Sequence, residues 1–207
     1  MEKESLLYFK SPKELSNFIS ELNVYNGWKI QEGIMNERGK LIEDKIYTRM
    51  LRELFREKNF FRRNVSLAEI ISWLDNLTLI QRLLNKLEVA IPSGKFNDLE
   101  ISVEYMIQMS KRMRVDYVII YKKNILLLEL RTVSSFNKVR PTWEKKFHEL
   151  LIYKELMSYY IKDFDIKCYA LIPLYEYSNK IRKEKHIDNN DKQLDYLVEY
   201  ISRYIIT

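Results

Sequence analysis

RVDYVIIYKKNILLLELR, running from Arg114 to Arg131, holds two runs of branched and aromatic residues on either side of Lys122-Lys123-Asn124. That short polar break reads as a hairpin turn. Each run is too apolar for a sheet edge, so both belong in the buried middle of a sheet. An acid stands on each arm at a similar distance from the turn. Pairing across a turn centred near Lys122 and Lys123 sets Asp116 opposite, or one step from, Glu129. Because strand side chains alternate, Glu129 and Arg131 share a face while Leu128 and Leu130 point away. Two carboxylates and a cation are therefore expected together at one end of a central hairpin.

Close carboxylates in a dry setting repel, so one takes a proton or a cation sits between them. Two arrangements satisfy this. Arg131 neutralises Glu129 and Asp116 in a partly buried ion-pair cluster, or a hard divalent ion such as Mg²⁺ binds the pair together with waters and substrate phosphates.

Outward from the hairpin, strands are expected at about 100–108, 114–121 and 125–131, with a fourth at Lys167–Pro173. A helix at about 142–161 separates the last two. Ser66 opens a helix, interrupted near Asn76 and continuing to about Leu87, and a final helix runs from about Gln193 to Ile205 after a polar loop at Lys180–Lys192. Nearer the amino terminus, Ser11-Pro12-Lys13-Glu14 combines an N-cap, a first-turn proline and a capping acid, which starts a helix ending near Asn23. Val24–Lys40 contains three glycines and reads as a small hairpin or loop. An amphipathic helix is expected at Leu41–Lys58, with Ile42, Ile46, Met50, Leu51, Leu54 and Phe55 on one face. The reading is an α/β fold: a central mixed sheet of about four strands flanked by helices, carried by residues 64–207, with a helical N-terminal extension at 1–63 packed on it.

The 207 residues are 46% hydrophobic and 13% aromatic, ample for one well-buried core and against global disorder. A formal charge of +6, from 35 bases and 29 acids, suits a nucleic-acid partner. One cysteine (Cys168) and two histidines (His148, His186) exclude an internal disulfide framework and a dedicated Cys/His zinc site. A reducing cytoplasm is the expected setting. No signal peptide is read at the amino terminus, and no apolar run approaches the ~20 residues that span a membrane, so no membrane partner is expected.

Asp116, a gap of 12 residues, then Glu129-Leu130-Arg131 resembles the D…(D/E)-x-K core of the PD-(D/E)xK nuclease superfamily. Further segments resemble one branch of it, the nuclease-like domain that precedes certain bacterial Schlafen-related helicases. Glu69-Ile70-Ile71-Ser72-Trp73-Leu74-Asp75-Asn76-Leu77 is similar to its E-x-x-S-W-x-x-S-L helix. Glu104-Tyr105-Met106-Ile107 followed by Lys111-Arg112-Met113-Arg114-Val115-Asp116 is similar to its EY-x-I…K-R-x-D strand pair. Val139-Arg140-Pro141-Thr142-Trp143-Glu144 is similar to its V-x-H-P-S-Y-Q segment. The likeness spans roughly 64–175 and departs in two places: Arg131 stands at the family's lysine, and Glu144 or Glu149 at a glutamine of the following helix.

The resemblance implies a restriction-endonuclease-like core and Mg²⁺- or Mn²⁺-dependent hydrolysis of phosphodiester bonds, with DNA as the expected substrate. Asp116 and Glu129 are the implied metal ligands, Glu69 a third acid, and Arg131 the replacement for the lysine that positions or activates water. An arginine keeps the charge but hardly ever gives up its proton. Glu69 has a second reading, since Ser66-x-x-Glu69 is itself a capping box. Glu43, Glu53 and Glu104 are alternative acids. Glu144 and the Glu149-x-x-x-Tyr153 pair are accessory candidates, and His148 reads as a surface residue. Lys111, Arg112 and Arg114 are the candidate phosphate contacts, while Trp28, Trp73 and Trp143 are expected in the core. A homodimer is compatible with this reading. Two other functions fit the same residues: a catalytically degenerate nuclease fold that binds nucleic acid or serves as an assembly subunit, and a protein-interaction module.

Overall fold

The computed structural model describes residues 5–24, 49, 52–53, 66–107, 113–174 and 180–207. Its centre is a five-stranded sheet in the order β1-β2-β3-β4-β5: β1 (Leu7–Phe9), β2 (Glu100–Met106), β3 (Arg114–Tyr121), β4 (Asn124–Leu130) and β5 (Asp165–Leu171). The first four strands run antiparallel in sequence, and β5 joins β4 in parallel, so the sheet is mixed. The apolar hairpin β3–β4 occupies the interior of the sheet, as its composition requires. Tyr121 pairs with Asn124 across a two-residue turn, where Lys122 takes a φ of 54°, in the left-handed region that glycine favours.

Helices cover both faces. Alternation sends Tyr117, Ile119 and Tyr121 of β3, and Leu126, Leu128 and Leu130 of β4, to one face. There they pack with residues from α1 (Pro12–Val24), α2 (Leu67–Ala90) and α5 (Lys180–Tyr204). Val118, Ile120, Ile125 and Leu127 point to the opposite face, under α4 (Val139–Tyr160), whose Leu150 and Met157 are buried against them. The short α3 (Ser93–Asn97) turns the chain from α2 into β2. Truncating a fully buried leucine such as Leu126 or Leu128 to alanine would cost about 3 kcal/mol.

Four expectations are corrected. Among the described residues the amino-terminal Leu7–Phe9, pairing with β2 (Leu7↔Val103, Phe9↔Ile101), adds a strand to the about four expected, so this part of 1–63 belongs to the sheet and not to an extension packed on it. The helix opened by Ser66 runs unbroken through Asn76, whose side chain is buried. Residues 180–192 are the first half of α5 and not a loop. Trp143 is 41% exposed, while Trp73 is buried as expected. The hairpin expected at Val24–Lys40, Trp28, Glu43, Lys111 and Arg112 lie outside the described residues, as does nearly all of the helix expected at Leu41–Lys58.

One irregularity shapes everything near the acids. Val103 and Tyr105 have the same parity on β2 yet pack in opposite cores, and so do Tyr117 and Val115 on β3. The ladder pairs Val103 with Tyr117 and Tyr105 with Val115 but skips the rung between them, Glu104 and Asp116. Glu104 sits there with φ 52°, a left-handed conformation costing an L-residue about 1–2 kcal/mol. Both strands turn over at this rung.

Candidate functional site

Asp116 stands at that turnover point and lies directly opposite Glu129 if the β3–β4 register is continued. Backbone pairing stops one step short, at Tyr117↔Leu128. Side chains complete the next rung instead. The Leu130 N–H donates to Asp116 Oδ2 at 2.8 Å, and the Asp116 N–H donates to Glu129 Oε1 at 3.3 Å. Each acid thus caps a backbone donor of the other strand's end, and the two carboxylates are drawn together in the process.

The cation at this pair is Lys146, about two turns into α4. Its Nζ lies 2.9 Å from Glu129 Oε2 and 2.8 Å from Glu149 Oε2. Lys146 reaches β4 because α4 folds back across the β4–β5 face, while Glu149, one turn on, holds it from the side. Arg131 lies just past the end of β4: its N–H bonds Leu171 O, and its side chain is exposed. The strand ends at Leu130, so the alternation expected to set Arg131 beside Glu129 does not extend to it.

Burial and repulsion set the proton affinities. Asp116 keeps some exposed surface but is densely surrounded, and burial followed by the charge of Glu129 pushes its pKa from 3.8 up to about 7. The Leu130 N–H, Lys146 and Arg114 oppose this rise without cancelling it. Glu129, 2% exposed, is also pushed up, because its burial outweighs the ion pair with Lys146. For Lys146 the balance is reversed: burial disfavours its charge, but Glu129 and Glu149 outweigh burial and hold the ammonium firmly protonated. The Tyr153 hydroxyl is raised by burial, then by Glu129 and Glu149, so it faces the same group as a neutral donor.

A second polar group flanks the first. The buried Glu104 accepts from Trp73 Nε1 at 2.9 Å and pairs with Arg114, whose guanidinium lies 2.9 Å from Glu104 Oε2 and 3.7 Å from Glu69 Oε1. Glu69 closes the capping box of α2: its carboxylate accepts from the Ser66 N–H and its own N–H donates to Ser66 Oγ, both at 3.2 Å. Arg114, read from sequence as a phosphate contact, is thus tied to two acids while its charge also reaches Asp116. Among the described residues the buried Tyr117 hydroxyl has no hydrogen-bond partner, and its pKa is raised by burial, Asp116 and Glu104, so it borders both groups.

The sequence candidates therefore divide. Asp116, Glu129, Glu149 and Tyr153 gather around Lys146, which sequence reading missed. Glu69 and Glu104 gather around Arg114. Glu144 is on the outer side of α4, paired with Arg140 at 2.9 Å, and His148 is exposed. Glu53 pairs with Arg49.

No family model matches the chain, and no curated protein or solved structure matches it. Among the described residues, no helix is long and apolar enough to cross a membrane.

The donor chemistry fits a hard divalent cation in a limited way. Two adjacent carboxylates, one with a proton affinity raised to about 7, gain from any cation that screens their repulsion. Among the described residues, no group of three or more His, Cys, Asp or Glu side chains is placed to hold a metal. The fit is to an ion such as Mg²⁺ or Mn²⁺ that keeps most of its waters, and not to an all-protein cage.

Proposed function

We propose that the protein is a metal-dependent nuclease acting on nucleic acid, DNA in the first instance, with Asp116 and Glu129 as metal ligands and Lys146 as the cation of the site. The observation that carries this reading is the acid pair itself. Asp116 and Glu129 are held opposite each other where backbone pairing stops, at a standing electrostatic cost, with a lysine ammonium 2.9 Å from one of them. Lys146 compensates the buried Glu129, whereas the facing Asp116 adds a repulsion that a structural rung does not need. The resemblance to the PD-(D/E)xK superfamily supports the same acids. It also implies a lysine role that Arg131, exposed beyond β4, does not meet.

Bound Mg²⁺ or Mn²⁺ supplies Lewis acidity at a phosphate oxygen and an acidified water. The chain's own residues do the rest. Lys146 fixes the Glu129 carboxylate through Oε2 and brings a permanent positive charge to the place where phosphoryl charge builds up. Glu149 fixes Lys146 in turn. The Tyr153 hydroxyl, kept neutral, is a hydrogen-bond donor at the same edge. Arg131, exposed next in line, has the planar fork suited to a phosphate of the substrate strand.

The test combines calorimetric titration with Mn²⁺ and cleavage of plasmid and single-stranded DNA, comparing wild type with Asp116→Ala and Glu129→Ala. Loss of Mn²⁺ uptake and of metal-dependent cleavage in both folded variants is expected. Unchanged uptake in both variants would sink the assignment. A second reading, a nuclease fold that binds nucleic acid without cutting it, is favoured by one observation: Glu69 is engaged in its capping box and Arg114 pair, and Glu149 in its pair with Lys146, leaving Asp116 and Glu129 without a third ligand acid among the described residues. It predicts nucleic-acid binding with no cleavage in any metal.

A further inference from the structure

Between the end of β4 and the third turn of α4, the chain presents bases and aromatic rings on its surface. Residues 131–147 carry five bases (Arg131, Lys138, Arg140, Lys145, Lys146) against one acid, Glu144. Arg131, Lys138, Arg140 and Lys145 are exposed. Phe136 is 72% exposed, on the short 3-10 turn Phe136–Lys138, and Trp143 is 41% exposed. Trp143 lies flat on Phe147, ring centroids 4.9 Å apart and planes within 9°, which fixes the indole. On α4, Arg140, Trp143 and Phe147 follow one another at i, i+3 and i+7, a single stripe flanking the helix. Lys146, between Lys145 and Phe147, is the residue that touches Glu129. The basic and aromatic surface therefore begins one residue from the acid pair.

An aromatic ring held open to solvent is costly for a core residue and useful for a partner with a flat face. The partner's chemistry is constrained twice. The surplus of exposed bases calls for a polyanion, and rings of this kind stack on planar groups that are themselves unpaired. A duplex offers phosphates but hides its base faces. A single strand offers both. We propose that residues 131–147 form a single-strand nucleic-acid interface, in which Phe136 and Trp143 stack on unpaired bases while Arg131, Lys138 and Lys145 meet the phosphates, Arg140 being paired with Glu144. The inference names the substrate class of the site proposed above and rests on that reading for cleavage, but binding itself needs neither the metal nor the acids.

The experiment is fluorescence-anisotropy titration of the full chain, with chelator present, against a labelled oligothymidylate and a duplex of equal length. Wild type should bind the single strand at least about tenfold tighter than the duplex. Trp143→Ala and Phe136→Ala should each weaken single-strand binding about tenfold, as loss of one stacked base does, with duplex binding changed less than about twofold. Trp143→Phe keeps a ring on the same stripe and should recover most of the loss. Arg131→Ala and Lys138→Ala should each flatten the salt dependence of log K by about 0.7. Asp116→Asn serves as the control for the nuclease reading. If it and wild type bind alike and neither cleaves in Mn²⁺, the interface stands and the nuclease reading falls. Duplex bound as tightly as single strand, or alanine variants that fold normally and bind oligothymidylate like wild type, would overturn the interface whether or not cleavage is seen.

Discussion

Replacing Asp116 by asparagine should change how the protein's stability depends on pH. In the folded protein, burial and the facing Glu129 hold the Asp116 carboxyl at a pKa of about 7, against 3.8 for the free side chain. Below about pH 4 both the folded and the unfolded chain carry the proton, and Asp116 costs nothing. As pH rises, the unfolded chain releases its proton first, so it binds fewer protons than the folded state and stability falls. Above about pH 7 both states are ionised and the loss is complete. Each pKa unit is worth about 1.4 kcal/mol, which makes the full cost about 4 kcal/mol. Asparagine is nearly isosteric, keeps an acceptor for the Leu130 N–H and carries no charge. Urea unfolding across a pH series should therefore show wild type and Asp116→Asn nearly equal near pH ~4, with the variant more stable by up to about 4 kcal/mol near pH ~8. Glu129, also raised by burial, faces no charged partner at position 116 in the variant, so the difference reports the acid pair and not Asp116 alone. Excess Mn²⁺ at the alkaline end should recover part of the wild-type deficit, about 2.7 kcal/mol at a hundredfold excess over Kd, and leave the variant unmoved. Parallel stability curves would refute the reasoning, as would a wild type that gains on the variant as pH rises.

Lys146→Met should leave Glu129 buried beside Glu149 without its cation and destabilise the protein by about 2–3 kcal/mol, read by urea unfolding; metal-dependent cleavage should fall at least about a hundredfold, against less than about threefold for Arg131→Ala. Arg114→Ala should cost about 3 kcal/mol, because Glu104 is buried and loses its pairing charge, whereas Arg114→Lys should recover about half by supplying a point charge without the planar fork. Ser66→Ala should lower stability by about 1 kcal/mol through loss of the α2 cap. Glu69→Gln should keep most of the box and leave Mn²⁺ affinity within about twofold, and a larger loss of affinity would return Glu69 to the metal site.

The hairpin was legible from sequence because both of its signals are local: two apolar runs, and a turn short enough to fix their register. Asp116 and Glu129 follow from that register by counting. β1 is three residues long, too short for any period to appear, and it becomes a strand only through pairing with β2, more than 90 residues away. Asn76 looked like a helix break on propensity, but the burial of Trp73, Leu77 and Ile80 on the same helix outweighs a few tenths of a kcal/mol. The final helix extends back before Gln193, and within that added stretch the buried Asn190 exchanges two hydrogen bonds with the backbone of Leu174, a tertiary contact that residue type does not announce. Lys146 is the instructive omission. Its one sequence signal is the Lys146–Glu149 spacing, common on exposed helices, and its partner Glu129 is reached only once α4 folds back over β4. Arg131, two residues from Glu129, was the obvious cation and the wrong one for that carboxylate.

The two-residue turn at Lys122–Lys123 gives the hairpin an order of closing. Joining residues next to so short a loop costs least entropy, so pairing starts at Tyr121↔Asn124 and runs outward. The acids occupy the last rung. If that rung closes last, the repulsion acts after most of the strand pairing is complete and is expected to hasten unfolding more than it slows folding, which chevron kinetics of Asp116→Asn would test. The lifetime of the folded chain, and with it resistance to irreversible loss, is governed by whatever neutralises that rung: a proton, the Lys146 ammonium or a bound cation.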